Sequence, residues 1–166
     1  MGFAVVDPAA RKAAFTRVDD PGAGDSPYLW GPDGSSVIRR PGPDKDGVGV
    51  YALDGTVRRT IQGVRWTDTA PADVSPSSRL LAAQCPGKAA LACVVETASG
   101  RRLARFPLPS KGGLWGWFNE DHLLVFDKGP TPWQVRIVDL TGRTARPFAD
   151  FTGTDDTYWL VHITTR

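Results

Sequence analysis

Two cysteines, Cys85 and Cys93, stand eight positions apart with Pro86-Gly87 just inside them. Thiols near the facing ends of two antiparallel strands come close enough to bridge, and two buried thiols serve equally well as small apolar residues, so the spacing leaves both readings open. A bridge would favour an oxidising compartment. Zinc is not expected at the pair, because the only histidines, His122 and His162, fall in other segments. His122 follows Asp121, and His162 sits inside Trp159-Leu-Val-His-Ile163 shortly after Asp155 and Asp156, so each is a candidate for a catalytic base assisted by a carboxylate. Neither comes with a Gly-x-Ser-x-Gly elbow or a Cys-His order. A solvated turn residue and a hydrogen-bonded strand residue account for them without catalysis.

The six tryptophans divide by position. Trp30, Trp117 and Trp159 recur at the start of similar segments, where a large side chain packs between neighbouring layers. Trp66, Trp115 and Trp133 fall in the connections instead, with Lys111 close by in sequence. Aromatic residues on a loop face can stack on a sugar, a flat small molecule or a peptide, so these four are the expected ligand-binding residues. Lys45, Lys88 and Lys128 share that face with Asp44, Asp46, Asp68, Asp73, Asp127, Asp150, Asp155 and Asp156, and the mixture gives no basic rim for phosphate.

The elements that must position these residues are read from a repeat. One unit runs Trp30-Gly-Pro-Asp-Gly-Ser-Ser-Val-Ile38 and then Val48-Gly-Val-Tyr-Ala-Leu-Asp-Gly55. A second runs Val74-Ser-Pro-Ser-Ser-Arg-Leu-Leu-Ala-Ala83 and then Leu91 to Phe106; a third runs Trp117 to Phe126 and then Val135 to Phe148. Gly55, Gly100 and Gly142 are spaced by 45 and 42 residues. Each unit offers four short strands, A to D, rich in Val, Leu, Ile and aromatics, with turn residues between A and B and between C and D. Phe3 to Val18 matches the C–D half of the plan alone, and Phe151 to Thr164 the A–B half alone. Every C–D hairpin carries an acid before its turn (Asp7, Asp54, Glu96, Asp139) and basic residues after it, which predicts stabilising cross-strand charge pairs.

Composition agrees with strand rather than helix. There are 18 Gly and 14 Pro in 166 residues, with 15 Arg to 5 Lys and 16 Asp to 2 Glu, so the helix-favouring members of the charged set are scarce. A net charge of +2 gives no general argument for nucleic acid, and no apolar run reaches the length of a membrane span. Met1 to Arg11 lacks a basic segment followed by an apolar one, so no signal peptide is expected. Location stays open: cytoplasmic for the chain as it stands, extracytoplasmic if Cys85 and Cys93 are bridged and a leader has been removed.

The openings Trp30-Gly-Pro-Asp-Gly34 and Ser75-Pro-Ser-Ser-Arg-Leu-Leu-Ala82, with the hairpin Val50-Tyr-Ala-Leu-Asp-Gly55, resemble the WD40-like and TolB-like β-propeller repeats of bacterial proteins over nearly the whole chain. The terminal Trp-Asp and the Gly-His of WD40 repeats are absent. The resemblance implies an all-β, up-and-down propeller forming one domain over 1–166, with blades at 28–63, 73–108 and 114–149. A fourth blade would be shared between a C–D half at 1–18 and an A–B half at 150–166. A ring completed by two chains, and a piece of a larger propeller, are the alternatives. The function expected is non-catalytic binding or scaffolding of a protein or small-molecule ligand on the long-loop face, with no cofactor, no metal, no nucleic acid and no membrane insertion. The alternative is a small enzyme acting on a bound natural product or sugar at the central opening.

Overall fold

The computed structural model describes residues 2–18, 28–31, 34–39, 46–65, 73–129, 132–143 and 145–151. Among them the regular structure is all strand. Gly2–Asp7 (β1) and Lys12–Arg17 (β2) form an N-terminal hairpin, paired in continuous register from Gly2 opposite Arg17 to Asp7 opposite Lys12. Three four-stranded antiparallel sheets follow. The first contains Leu29–Trp30 (β3), Ser36–Arg39 (β4), Val48–Ala52 (β5) and Val57–Ile61 (β6). The second contains Asp73–Val74 (β7), Leu80–Cys85 (β8), Lys88–Glu96 (β9) and Arg102–Pro107 (β10). The third contains Gly112–Asn119 (β11), His122–Asp127 (β12), Trp133–Asp139 (β13) and Ala145–Phe151 (β14). Every strand pairs with its sequence neighbour, so each sheet is an A–B–C–D meander. The A–B half assigned to 150–166 lies outside the described residues beyond Phe151.

Turn chemistry positions the strands. Gly55, Gly100 and Gly142 close the three C–D turns with φ of 90°, 72° and 69°. At Gly142 glycine is required twice over, because a Cβ there would come within 2.2 Å of the Phe106 Cβ on the second sheet. The acids before these turns serve the turns themselves, besides the cross-strand pairing that sets Asp7 opposite Lys12. Asp139 Oδ1 accepts from the Thr141 N–H at 2.8 Å and the Thr141 hydroxyl at 2.7 Å, and Asp54 Oδ1 treats Thr56 the same way at 2.9 and 2.7 Å. Asp7 accepts from the Ala10 N–H, and Glu96 accepts from the Ser99 hydroxyl. A short carboxylate beside a turn reaches the turn's own donors before it reaches a flexible arginine across the ladder. Glu96 also has a cation, Arg101, at 4.0 Å.

The sheets stack face to face through three apolar layers. Phe3 and Val18 of the hairpin segment pack on Val37 and Tyr51 of the first sheet. Arg39, buried on the same sheet, donates to the Tyr28 hydroxyl at 2.6 Å and lies 4.5 Å from the centre of the Tyr28 ring. Ile38, Val50 and Ile61 meet Leu81, Cys93 and Val95 in the next layer. Ala92, Val94 and Phe106 meet Trp117, Leu123 and Val125 in the third. The second sheet is therefore covered on both faces. That is why Leu91-Ala-Cys-Val-Val95 reads as a continuous apolar run instead of an alternating one. Full burial of each such aliphatic or aromatic side chain contributes about 1.5–3 kcal/mol.

Three expectations about connections and tryptophans are corrected. The second sheet's B–C connection is the tight turn Pro86-Gly87, with Gly87 at φ 67°, because Pro presets the first turn position and Gly accepts the second. The link from the second to the third sheet is only Leu108 to Lys111, since β11 already begins at Gly112. Trp30 is 56% exposed where an interlayer position was expected, whereas Trp117, at 9%, is buried between layers.

Candidate ligand-binding surface on the third sheet

Trp115 lies within a strand, not in a loop. Leu114 opposes Val125 and Gly116 opposes Leu124, so Trp115 is the extra residue of a β-bulge in β11. A bulge breaks the alternation of faces and re-aims the side chain it carries. The Trp115 ring consequently meets Phe126 of β12, with centroids 5.9 Å apart and planes at 40°. Room for this pair comes from Gly113, the residue directly opposite Phe126, which has no side chain.

Trp133 is the first residue of β13, and strand alternation places it on the same face as Val135. Val135 opposes Phe126, so Trp115, Phe126 and Trp133 share the face of the third sheet that looks away from the second sheet. The Lys128 ammonium sits 4.6 Å from the centre of the Trp133 ring, a cation–π arrangement. Lys111 joins this corner through its backbone, its carbonyl accepting from the Lys128 N–H at 2.9 Å. Below them the Asp127 carboxylate accepts from the Gly129 N–H at 2.8 Å and lies 3.8 Å from Arg136, which donates to Gln134 Oε1 at 2.9 Å. The corner thus presents two half-buried tryptophans, each backed by a specific neighbour, beside two exposed lysines. Farther along the sheet, Phe118 and Phe148 reach from its two outer strands to meet edge to face at 5.8 Å.

The structure brings Trp115, Trp133 and Lys111 to one end of one sheet; Trp66 lies outside the described residues. Sequence reasoning missed Phe126, and it set Lys128 on this face without pairing it with Trp133. The cross-strand register that places them beside the tryptophans is not written in local spacing.

Among the described residues, His122 is not joined to a carboxylate. His122 opens β12 and its Nδ1 lies 3.0 Å from the side-chain oxygen of Asn119, which also accepts from the Asp121 N–H at 2.9 Å. It is a turn residue fastened by an amide. Asp139, opposite it in register, has its Oδ1 committed to its own turn. His162 lies outside the described residues. Cys85 and Cys93 are joined in the structure, with Cα atoms 5.0 Å apart, and both are buried in the layer between the first two sheets.

No protein-family model and no curated protein matches the sequence. Solved structures do match in shape. TolB from Acinetobacter baumannii superposes with a TM-score of 0.59 at 16% identity, over 87% of this chain and 37% of that one. The C-terminal WD40 domain of Sif2 gives 0.57 at 13% identity, over 92% and 42%. The β-propeller domain of the Trilobed protease from Pyrococcus furiosus, described as having an open velcro topology, gives 0.51 at 12% identity, over 89% and 48%. The described sheets therefore have the β-propeller fold of WD40 and TolB structures. The chain spans less than half the length of each of these.

Proposed function

We propose that this β-propeller chain is a non-catalytic binding module that holds a segment of a protein partner against the Trp115–Trp133 corner of the third sheet. A propeller fits a binding or scaffold role in general, because rigid sheets hold contact residues at fixed spacing with little left to order on association. The observation that supports this site is the convergence of Trp115 and Trp133 on one face, each already seated against Phe126 or Lys128. Preorganised tryptophans in partly buried settings are the residues that carry most of the energy in protein recognition. The exposed lysines at the edge favour a segment that carries an acidic group next to its apolar residues.

Peptides selected from a random display library against the intact protein test this. Trp115→Ala and Trp133→Ala should each weaken the selected peptides by about 2 kcal/mol, roughly thirtyfold. A double variant that folds and binds every selected peptide with wild-type affinity would overturn the site.

A further inference from the structure

A cavity of about 320 Å3 lies between the first and second sheets, at the end carrying the A–B and C–D turns. Its walls are aliphatic: Ile38, Val50 and Ile61 come from the first sheet and Leu81 from the second, all buried. Val74 extends the aliphatic wall, and Ser36, Thr97, Arg58 and Arg59 complete the lining.

Two features make this more than loose packing. First, consecutive strand residues ordinarily point to opposite faces, yet Arg58 and Arg59 both line the cavity. Tyr51 opposes Val57 and Val50 opposes Arg59, so Arg58 is the extra residue of a β-bulge that lets both residues border the same space. Arg59 reaches across the opening to the Ala98 carbonyl in the second sheet's C–D turn, and Arg58 donates to the Ser35 hydroxyl at 3.3 Å. A guanidinium carries five donors, so a single carbonyl does not exhaust Arg59. Asp54, whose ionisation Arg58 favours, is the turn acid already occupied by Thr56.

Second, the molecule contains its own comparison. In the layer between the second and third sheets, Trp117 opposes Leu123 and Phe106 closes the fourth strand. At the matching places of the first layer stand Val74, opposite Leu81, and Ile61. The same stacking geometry is filled by two large aromatics in one layer and left open by two smaller aliphatics in the other, with a pair of cations at its mouth.

We infer that this cavity binds an amphipathic carboxylate, a small organic acid whose apolar body occupies the aliphatic space while its carboxylate pairs with Arg59 beside Arg58. Planar guanidinium groups match a carboxylate's two oxygens, and the cavity has the size of small-ligand sites. This site shares no residue with the Trp115–Trp133 corner and stands or falls separately from it.

Isothermal titration of the intact protein with sodium decanoate, below its micellar concentration, tests the assignment, with decan-1-ol as the uncharged control. Decanoate should bind saturably, one per chain, and roughly tenfold or more tighter than decanol. Arg59→Gln should remove that preference for the acid while leaving decanol binding as it was. Val74→Trp, which copies the filled layer, should abolish binding of both. Equal affinity for acid and alcohol, no saturable heat with decanoate at millimolar concentration, or a folded Val74→Trp variant that still binds decanoate would each overturn it. Arg59 is exposed, so its variant reports even if Val74→Trp packs poorly.

Discussion

Replacing both cysteines with alanine removes a cross-link that joins β8 to β9 across a sequence separation of 8. In the chain-entropy view, a loop of that length restricts the unfolded chain by about 2.5 kcal/mol at 25 °C. For a domain of this size that corresponds to a fall in Tm of about 5–10 °C. Cys85 and Cys93 are 3% and 0% exposed, so the alanine pair also loses buried sulfur contacts, and its Tm should fall slightly below that of the reduced wild type. Burial further implies that a mild reductant reaches the bond only through local opening; reduction should therefore be slow in the native protein and fast near the midpoint. Thermal melts followed by circular dichroism, on oxidised wild type, reduced wild type and Cys85→Ala/Cys93→Ala, measure both Tm differences, and thiol alkylation followed in time after adding reductant measures the rate. A double variant melting within a degree of the oxidised wild type would refute the reasoning, as would two freely alkylated thiols in unreduced protein.

Other perturbations act on single contacts. Glu120 ties the third sheet's A–B turn to the second sheet's, its carboxylate accepting from the Ser77 N–H and, at 2.6 Å, from the Ser77 hydroxyl. Burial opposes its ionisation, but the Ser77 and Ser75 donors and the Arg79 charge outweigh it and hold the carboxyl below its ordinary 4.5. A depressed folded value stabilises above the unfolded one and is lost as pH falls through it. Glu120→Gln should therefore lower Tm at pH 7, with the gap to wild type closing below about pH 4.5. Gly142→Ala, at φ 69° and against Phe106, should destabilise by about 2 kcal/mol or more in urea unfolding, whereas a change under about 0.5 kcal/mol would contradict the packed turn. Phe106→Ala, in the layer shared with Trp117, should cost about 3–5 kcal/mol in the same assay. Deleting residues 1–18 uncovers Val37 and Tyr51 and should cause aggregation; a soluble, equally stable variant would count against the hairpin's packing role.

The repeat, the strands and the C–D turns were legible because they are local facts. Gly55, Gly100 and Gly142 mark positive φ wherever the chain goes next, and short Val- and Leu-rich runs between such turns can only be sheet strands. Trp117 as an interlayer residue and the proximity of Cys85 to Cys93 followed from the same local order. What the tertiary structure decided is the set of pairings across strands and between sheets. The bulges at Trp115 and Arg58 depend on which residues oppose each other, so no reading of period two could aim those side chains. Pro86 to Ala92 read as a short loop between the cysteines, whereas β9 begins already at Lys88. The hairpin acids read as partners for the basic residues across the ladder, and the turn donors that each of them also holds come from the folded turn geometry. Whether a layer closes or leaves a cavity depends on the summed volumes of side chains from two sheets. Val74 with Ile61 and Trp117 with Phe106 occupy equivalent places in sequence, and they differ in consequence only because close-packed interiors register every missing atom.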